Sequence, residues 1–375
     1  MPGRVILPGS TIGILGGGQL GRMTAIEGRK MGYHITCLDP SPNCPCGQVA
    51  DDQIVAPLDD VMAAIRLAER ADVLIYEFEN IDVRVVEELE KNYYLPQKSH
   101  ILAVAQNRLM EKQQLCKAGF PVAPYFVVRN TEDLKTGTAE LGYPSVLKTA
   151  KGGYDGKGQL VLNNPQELNK AYALVQSGKH EWVLEKMISF TQEISVIVGR
   201  SETGEMAVYP VAENIHRENI LHISVVPARI SSLAESMAVG IAKGIAQFFQ
   251  VVGVLTVEFF VTPQSLLVNE IAPRPHNSGH YTLDACFTSQ FEQLIRAVCG
   301  LPLGSTQLLT PAVMINILGS DLPKILENIS EFTGDVKIHL YGKRGFPAPK
   351  RKMGHLLFKT DCPVQTDEII KTFLG

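Results

Sequence analysis

The chain reads as a mixed α/β and α+β protein, with an open parallel α/β unit at the N-terminus, a larger α+β centre and a small β-rich end. Three observations predict this. A strand, a glycine-rich turn and a helix lead into a second strand before residue 40, the pattern of a βαβ unit. Four glycines, Gly152, Gly153, Gly156 and Gly158, separate two short β-type runs in the middle of the chain. Farther on, two more β-type runs joined through residues 262–266 carry one glutamate each, Glu258 and Glu270.

In the first unit, 12–15 is a short apolar strand, and Gly16-Gly-Gly-Gln-Leu-Gly21 is the turn. Residues 22–31 form a helix stopped by Gly32, and 34–39 form the second strand. The pattern continues with a helix over 61–70, a strand over 72–78 and a helix over 83–92, so residues 1–97 form one domain. A helical segment over 101–118 opens a second domain, 98–300. Its strands are 143–150, 159–162, 182–186, 193–198 and 206–209, followed by a helix over 234–250 and the two-glutamate hairpin of 254–261 and 266–271. Strands at 312–318, 337–341 and 355–358 make a small third unit, 301–375.

A length of 375 residues exceeds the usual single-domain size. With 45% hydrophobic residues, 20% charged residues and a net charge of −4, the composition describes a globular chain without the basic field that nucleic acid requires. The apolar stretch 251–261 is too short for a membrane span and contains Glu258, and the N-terminus shows no charged-then-apolar export segment. The expectation is a cytoplasmic protein with no nucleic-acid or membrane partner. Seven cysteines scattered along the chain argue against a disulfide framework, and Cys44-Pro-Cys46 has no second Cys/His pair nearby to complete a zinc site.

If the hairpin closes with Val261 opposite Leu267, Glu258 stands opposite Glu270, with both carboxylates on one face. Like charges so placed repel unless a cation lies between them, and Mg²⁺ prefers such hard oxygen ligands. Strict alternation turns Asn269 away from them. The glycine-rich tip, with Lys151 and Lys157 beside it, can cover phosphates with N–H groups and cations. Lys148, in the apolar strand before the tip, needs an anionic partner, which a phosphate would supply. Glu185-Lys186 ends a strand that could lie under a purine ring. Arg274, on a proline-stiffened loop with His276 and His280, can hold a small planar oxyanion bidentately. The Gly16–Gly21 turn fits G-x-G-x-x-G, which permits a dinucleotide or any phosphate at the helix N-terminus. Cations gather again at Lys343-Arg344 and Lys350-Arg351-Lys352.

In order, the strings Gly16 to Gly21, Tyr76-Glu-Phe-Glu-Asn80, Lys151 to Gly158, Val257-Glu-Phe-Phe260, Asn269 to His280 and Arg351-Lys-Met-Gly-His355 closely resemble the N5-carboxyaminoimidazole ribonucleotide synthetase family. These are ATP-grasp ligases of purine synthesis. The resemblance implies a pre-ATP-grasp domain, an ATP-grasp domain and a small C-terminal domain. It also implies that ATP and bicarbonate carboxylate 5-aminoimidazole ribonucleotide by way of carboxyphosphate. It places Arg108, Lys148, Gly153, Tyr154, Asp155, Gly156, Lys157, Gly158, Gln159, Glu185, Lys186, Glu193, His216, Asn269 and Glu270 around ATP. By the same resemblance Glu258 and Glu270 would hold Mg²⁺, with Mn²⁺ as a substitute. Gln19, Leu20, Glu77, Tyr154, Asp155, Arg274, Asn277, Lys343 and Arg351 contact the ribonucleotide. Lys148, Asp155, Arg274 and His276 take part in the chemistry, and a homodimer is expected. An NAD-linked dehydrogenase would use the Gly16 turn but leave the tip and the hairpin unexplained.

Overall fold

The computed structural model describes residues 4–153, 158–178, 180–332, 334, 336–345, 347–360 and 363–374. Strands β1 (Thr11–Leu15), β2 (His34–Asp39), β3 (Asp52–Val55) and β4 (Val73–Tyr76) form a parallel sheet in the order β3-β2-β1-β4. Both faces are covered, as the unbroken apolar runs require. Ile12, Ile14, Ile35, Val73 and Ile75 pack on one side with Leu294 and Ile295, while Leu15, Leu38, Leu74 and Tyr76 pack on the other with the helices Val61–Ala68 and Val83–Glu90. Leu15 pairs with Tyr76, so the residues that follow them, Gly16 and Glu77, lie side by side at the carboxyl edge of the sheet, where ligands of such folds bind.

The helix expected over 22–31 begins at Gln19, and the strand expected over 72–78 stops at Tyr76. The single helix expected over 101–118 is two, Ser99–Ala105 and Arg108–Lys117. Asn107 breaks it: its side chain accepts from Leu109 N and Met110 N and starts a new helix. That break sets Arg108 on the first turn, where its N–H donates to Ala150 O at 2.8 Å.

Strands β5 (Tyr125–Val128), β6 (Ser145–Thr149), β7 (Gln159–Leu162) and β8 (Trp182–Lys186) form an antiparallel sheet ordered β5-β8-β6-β7, with the glycine-rich tip between β6 and β7. The largest sheet has nine strands. It contains β9 (Gln192–Arg200), β10 (Met206–Val208), β11 (Ala212–Arg217), β12 (Ile220–Val226), β13 (Gly253–Val261), β14 (Leu266–Ala272), β15 (Ala312–Leu318), β16 (Val336–Leu340) and β17 (Lys352–Lys359). The order is β14-β13-β9-β11-β12-β15-β17-β16, with β10 on β9. The strands after Gly300 therefore continue the central sheet, and β12 pairs directly with β15. Ile194, Val196, Leu255, Val257 and Phe259 alternate onto one face of this sheet, against Ala238, Ala242 and Ile245 of the helix Ser232–Phe248. Among the described residues no helix is long and apolar enough to cross a membrane.

Candidate active site

A cavity of about 670 Å³ opens where the three sheets meet. Glu258 and Glu270 lie in its wall and pair across β13 and β14 as expected, but by a different route. The hairpin closes with Val261 opposite Leu266, one residue short of the expected register, and that alone would set Glu258 against Asn269. A β-bulge between Glu258 and Phe259 makes Asn269 the extra residue and restores the Glu258–Glu270 pair. The bulge also overturns the alternation argument, since Asn269 lines the cavity beside both carboxylates.

Burial, followed by the charge of Glu270, pushes the Glu258 carboxyl up to about 8. His276 Nε2 lies 3.4 Å from Glu258 Oε1. Burial, with Arg274 next to it, drives the His276 imidazole well below its ordinary value, so the ring is neutral. Among the described residues no three His, Cys, Asp or Glu side chains converge on a metal position. Two facing acids and an amide oxygen fit a hard cation that takes its remaining oxygens from phosphate and water.

Facing this pair is a cluster of cations. Lys148 Nζ is 2.9 Å from Glu185 Oε2, Lys112 Nζ is 3.5 Å from the same atom, and Arg108 Nη1 is 3.8 Å from Oε1. Lys148 thus has a carboxylate of the chain as an anionic partner while it also faces the cavity. Glu185 is only 2% exposed. Burial raises its pKa, but Lys112, Lys148 and Arg108 outweigh it and bring the group to about 2. For Lys148, burial lowers the pKa more than Glu185 raises it, with Arg108 and Lys112 adding to the fall. One negative charge among three positive ones leaves a surplus suited to a polyphosphate.

Arg108 also reaches Glu270, with Nη2 3.4 Å from Oε2, and so spans the cationic and acidic centres. Glu185 is not among the residues lining the cavity, and neither is the exposed Lys186; the Glu185 side chain supports the cations that are. Sequence reasoning missed Lys112, fully buried at 0% exposure, although it follows Arg108 by one helical turn on the same face. It also missed Glu111, a buried wall residue whose Oε2 accepts from Ile271 N at 3.2 Å. Glu193 pairs with His216, and both line the cavity. Gly153, Gly158 and Gln159 line it as well, while Tyr154, Asp155, Gly156 and Lys157 lie outside the described residues.

At the parallel sheet the glycine turn already holds an anion. Gly18 N and Gly21 N both donate to the Glu77 carboxylate, the latter at 2.5 Å. A Cβ at Gly16 would lie 2.6 Å from Glu77 Cγ, one at Gly18 2.8 Å from Oε1, and one at Gly21 3.0 Å from Oε2. All three glycines of the G-x-G-x-x-G pattern therefore make room for a side chain of the same protein. Glu77 thus takes two of the N–H groups at that helix N-terminus. Burial lifts Glu77 to about 7 against the pull of the two N–H groups.

Gln19 and Leu20 line the cavity next to this turn, and Gln19 Oε1 accepts from Lys343 Nζ at 2.7 Å. Burial, with Arg351 nearby, lowers Lys343 to about 8. Arg351 itself is exposed, donates to Arg344 O at 3.2 Å and is not a wall residue, whereas Lys352 of the same cation run is. Asn277 lines the cavity but exchanges amide hydrogen bonds with Asn316. Arg274 lines it between the two halves and is paired with Glu79. Cys44 and Cys46 are buried in the core with Cys37.

Residues 9–106 match the ribonucleotide synthetase preATP-grasp domain, 113–291 the ATP-grasp domain, and 312–365 the phosphoribosylaminoimidazole carboxylase C-terminal domain. The chain is 49% identical over 359 residues to the N5-carboxyaminoimidazole ribonucleotide synthase of Bacillus subtilis (strain 168), covering 96% of this chain and 93% of that one. It is 43% identical to the synthase of the same name from Staphylococcus aureus (strain N315), covering 96% and 95%. An ADP complex of an N5-carboxyaminoimidazole ribonucleotide synthetase superposes with a TM-score of 0.95 at 52% identity, covering 99% and 97% of the two chains. The Aspergillus clavatus N5-carboxyaminoimidazole synthase, solved with ADP and 5-aminoimidazole ribonucleotide, superposes with a TM-score of 0.90 at 29% identity, covering 97% of each. With three domain families matching in order and relatives aligned along nearly its whole length, this chain is an ATP-grasp ligase that belongs to the N5-carboxyaminoimidazole ribonucleotide synthase family.

Proposed function

We propose that this protein carboxylates 5-aminoimidazole ribonucleotide with bicarbonate at the expense of ATP, giving the N5-carbamate, ADP and phosphate. One observation carries the reading: a single cavity joins the cation cluster, the paired glutamates, Arg274 and the Gln19–Lys343 corner. The nucleotide lies between the glycine-rich tip and β9, with Arg108 and Lys148 on its phosphates and Glu193 with His216 at its outer end. Glu258 and Glu270 would hold Mg²⁺, or Mn²⁺, which neutralises phosphate charge when bound. Gln19 and Lys343, with Lys352 in the same wall, would take the ribonucleotide.

A bicarbonate oxygen attacks the γ-phosphorus and ADP leaves, giving carboxyphosphate. The exocyclic amine then attacks the carboxyl carbon, phosphate departs and the amine loses a proton. Such phosphoryl transfer depends on positioning and charge neutralisation, which Lys148, Arg108 and Arg274 supply. The departing phosphate can take that proton, while neutral His276 stands beside Glu258 and Arg274. Burial of the reacting groups in the cavity would keep the labile mixed anhydride from water. The expected setting is a homodimer in the cytoplasm.

The test measures ADP release with bicarbonate present, with and without the ribonucleotide. The reading expects strong stimulation by the ribonucleotide. NAD(H) turnover, or ATP bound without cleavage, would refute it.

A further inference from the structure

We propose that Glu79 is a positioning residue that aims Arg274 at the one-carbon oxyanion, and that the segment 77–79 ties this aim to the ribonucleotide turn. The inference rests on the role given to Arg274 above.

The guanidinium of Arg274 is largely buried and gripped on two sides. Its Nε donates to Glu79 Oε2, Nη2 donates to Oε1 at 2.7 Å, and Nη1 donates to Pro275 O at 3.0 Å. A guanidinium has five N–H donors, so these bonds leave one on each terminal nitrogen. Those two form an end-on fork, and a planar carboxylate or bicarbonate is the matching acceptor. Burial would lower the Arg274 pKa, but the Glu79 charge outweighs it and holds the group up. Glu79 in turn is held below the ordinary carboxylate range, Arg274 overcoming the effect of burial. The paired arginine therefore directs its ligand chiefly by geometry.

Glu79 is itself anchored. Gln106 Nε2 donates to Glu79 O and Ile81 O, both at 2.5 Å. Gln97 Oε1 accepts from Tyr76 N at 2.9 Å while its Nε2 donates to Pro273 O at 3.3 Å, so the end of β4 is fastened to the residue before Arg274. Two residues before Glu79, Glu77 clamps the glycine turn that bears Gln19 and Leu20. One short segment thus touches the ribonucleotide corner with one carboxylate and the oxyanion arginine with the next.

The test is steady-state ADP release in CO₂-depleted buffer with added bicarbonate, with and without 5-aminoimidazole ribonucleotide, for wild type, E79A, E79Q and E79D. For E79A the expected result is a KM for bicarbonate raised about tenfold, reduced stimulation by the ribonucleotide and a KM for ATP within about twofold of wild type. E79D, which keeps the charge, should recover part of the loss. E79Q, which keeps one acceptor, should fall between wild type and E79A and serves in its place if E79A does not fold. An unchanged bicarbonate KM in E79Q and E79A, or equal rises in the KM values for bicarbonate and ATP as a mere domain clamp would give, would overturn the proposal. Wild-type ADP release indifferent to bicarbonate would overturn the reading of Arg274 as well, which separates the two failures.

Discussion

At Glu185 one carboxylate faces Lys112, Lys148 and Arg108, whereas at Glu258 and Glu270 two carboxylates face each other with Arg108 beside only one of them. The first centre carries excess positive charge and the second excess negative charge, and Arg108 belongs to both. Each is incomplete by itself, and a nucleotide polyphosphate with a divalent cation would complete both. The difference shows in the carboxyls: three cations draw Glu185 down to about 2 in spite of burial, while burial and Glu270 push Glu258 up to about 8. A mutation at one centre should therefore act on stability with the opposite sign to a mutation at the other.

The largest effect is expected from E185A. It leaves three buried or half-buried cations without their anion and should cost about 3–5 kcal/mol of folding free energy, read by thermal or urea denaturation. A loss below about 1 kcal/mol would mean that the cations do not depend on Glu185. E258Q should do the reverse in metal-free protein at pH 8, gaining up to about 1 kcal/mol because two like charges no longer oppose each other across the ladder. At the same time it should lower the rate of ADP formation by about 100-fold or more. A destabilised E258Q would show that the pair is not strained in the free protein.

The last effect is read only against pH and concerns Glu111, next to both centres, which burial raises from 4.5 to about 8 against the pull of Arg108. A carboxyl raised in this way adds stability below the unfolded pKa, and that contribution is lost as pH climbs through the folded one. Relative to wild type, E111Q should therefore gain stability steadily from pH 5 to pH 8, by at most about 1.4 kcal/mol per unit, and level off above that. Parallel pH curves for the two proteins would contradict the assignment.

Much of this was legible in the sequence, where the chemistry was local. The parallel βαβ start, the glycine-rich tip and the two-glutamate hairpin each depend on residues within a few turns of one another. The Glu258–Glu270 pairing was reached through a register one residue off, because the bulge at Asn269 leaves no mark in a period-2 pattern. That Glu77 fills part of the glycine turn is not legible locally, because it follows β4, 59 residues from Gly18, a contact set by β1 and β4 lying side by side. The run Lys350-Arg351-Lys352 has no period to say which cation faces inward; the start of β17 turns Lys352 to the cavity and leaves Arg351 outside. Lys112 was hidden by the expectation that one helix runs through 101–118, when Asn107 restarts it and places Arg108 and Lys112 over Glu185.

The most direct measurement is calorimetric titration of Mn²⁺ into wild type, E258Q and E270Q, each saturated with ADP. If the facing acids hold the ion, wild type binds it and each variant binds at least about tenfold more weakly. Equal Mn²⁺ affinity in all three proteins would show that the cation sits elsewhere and would contradict the account.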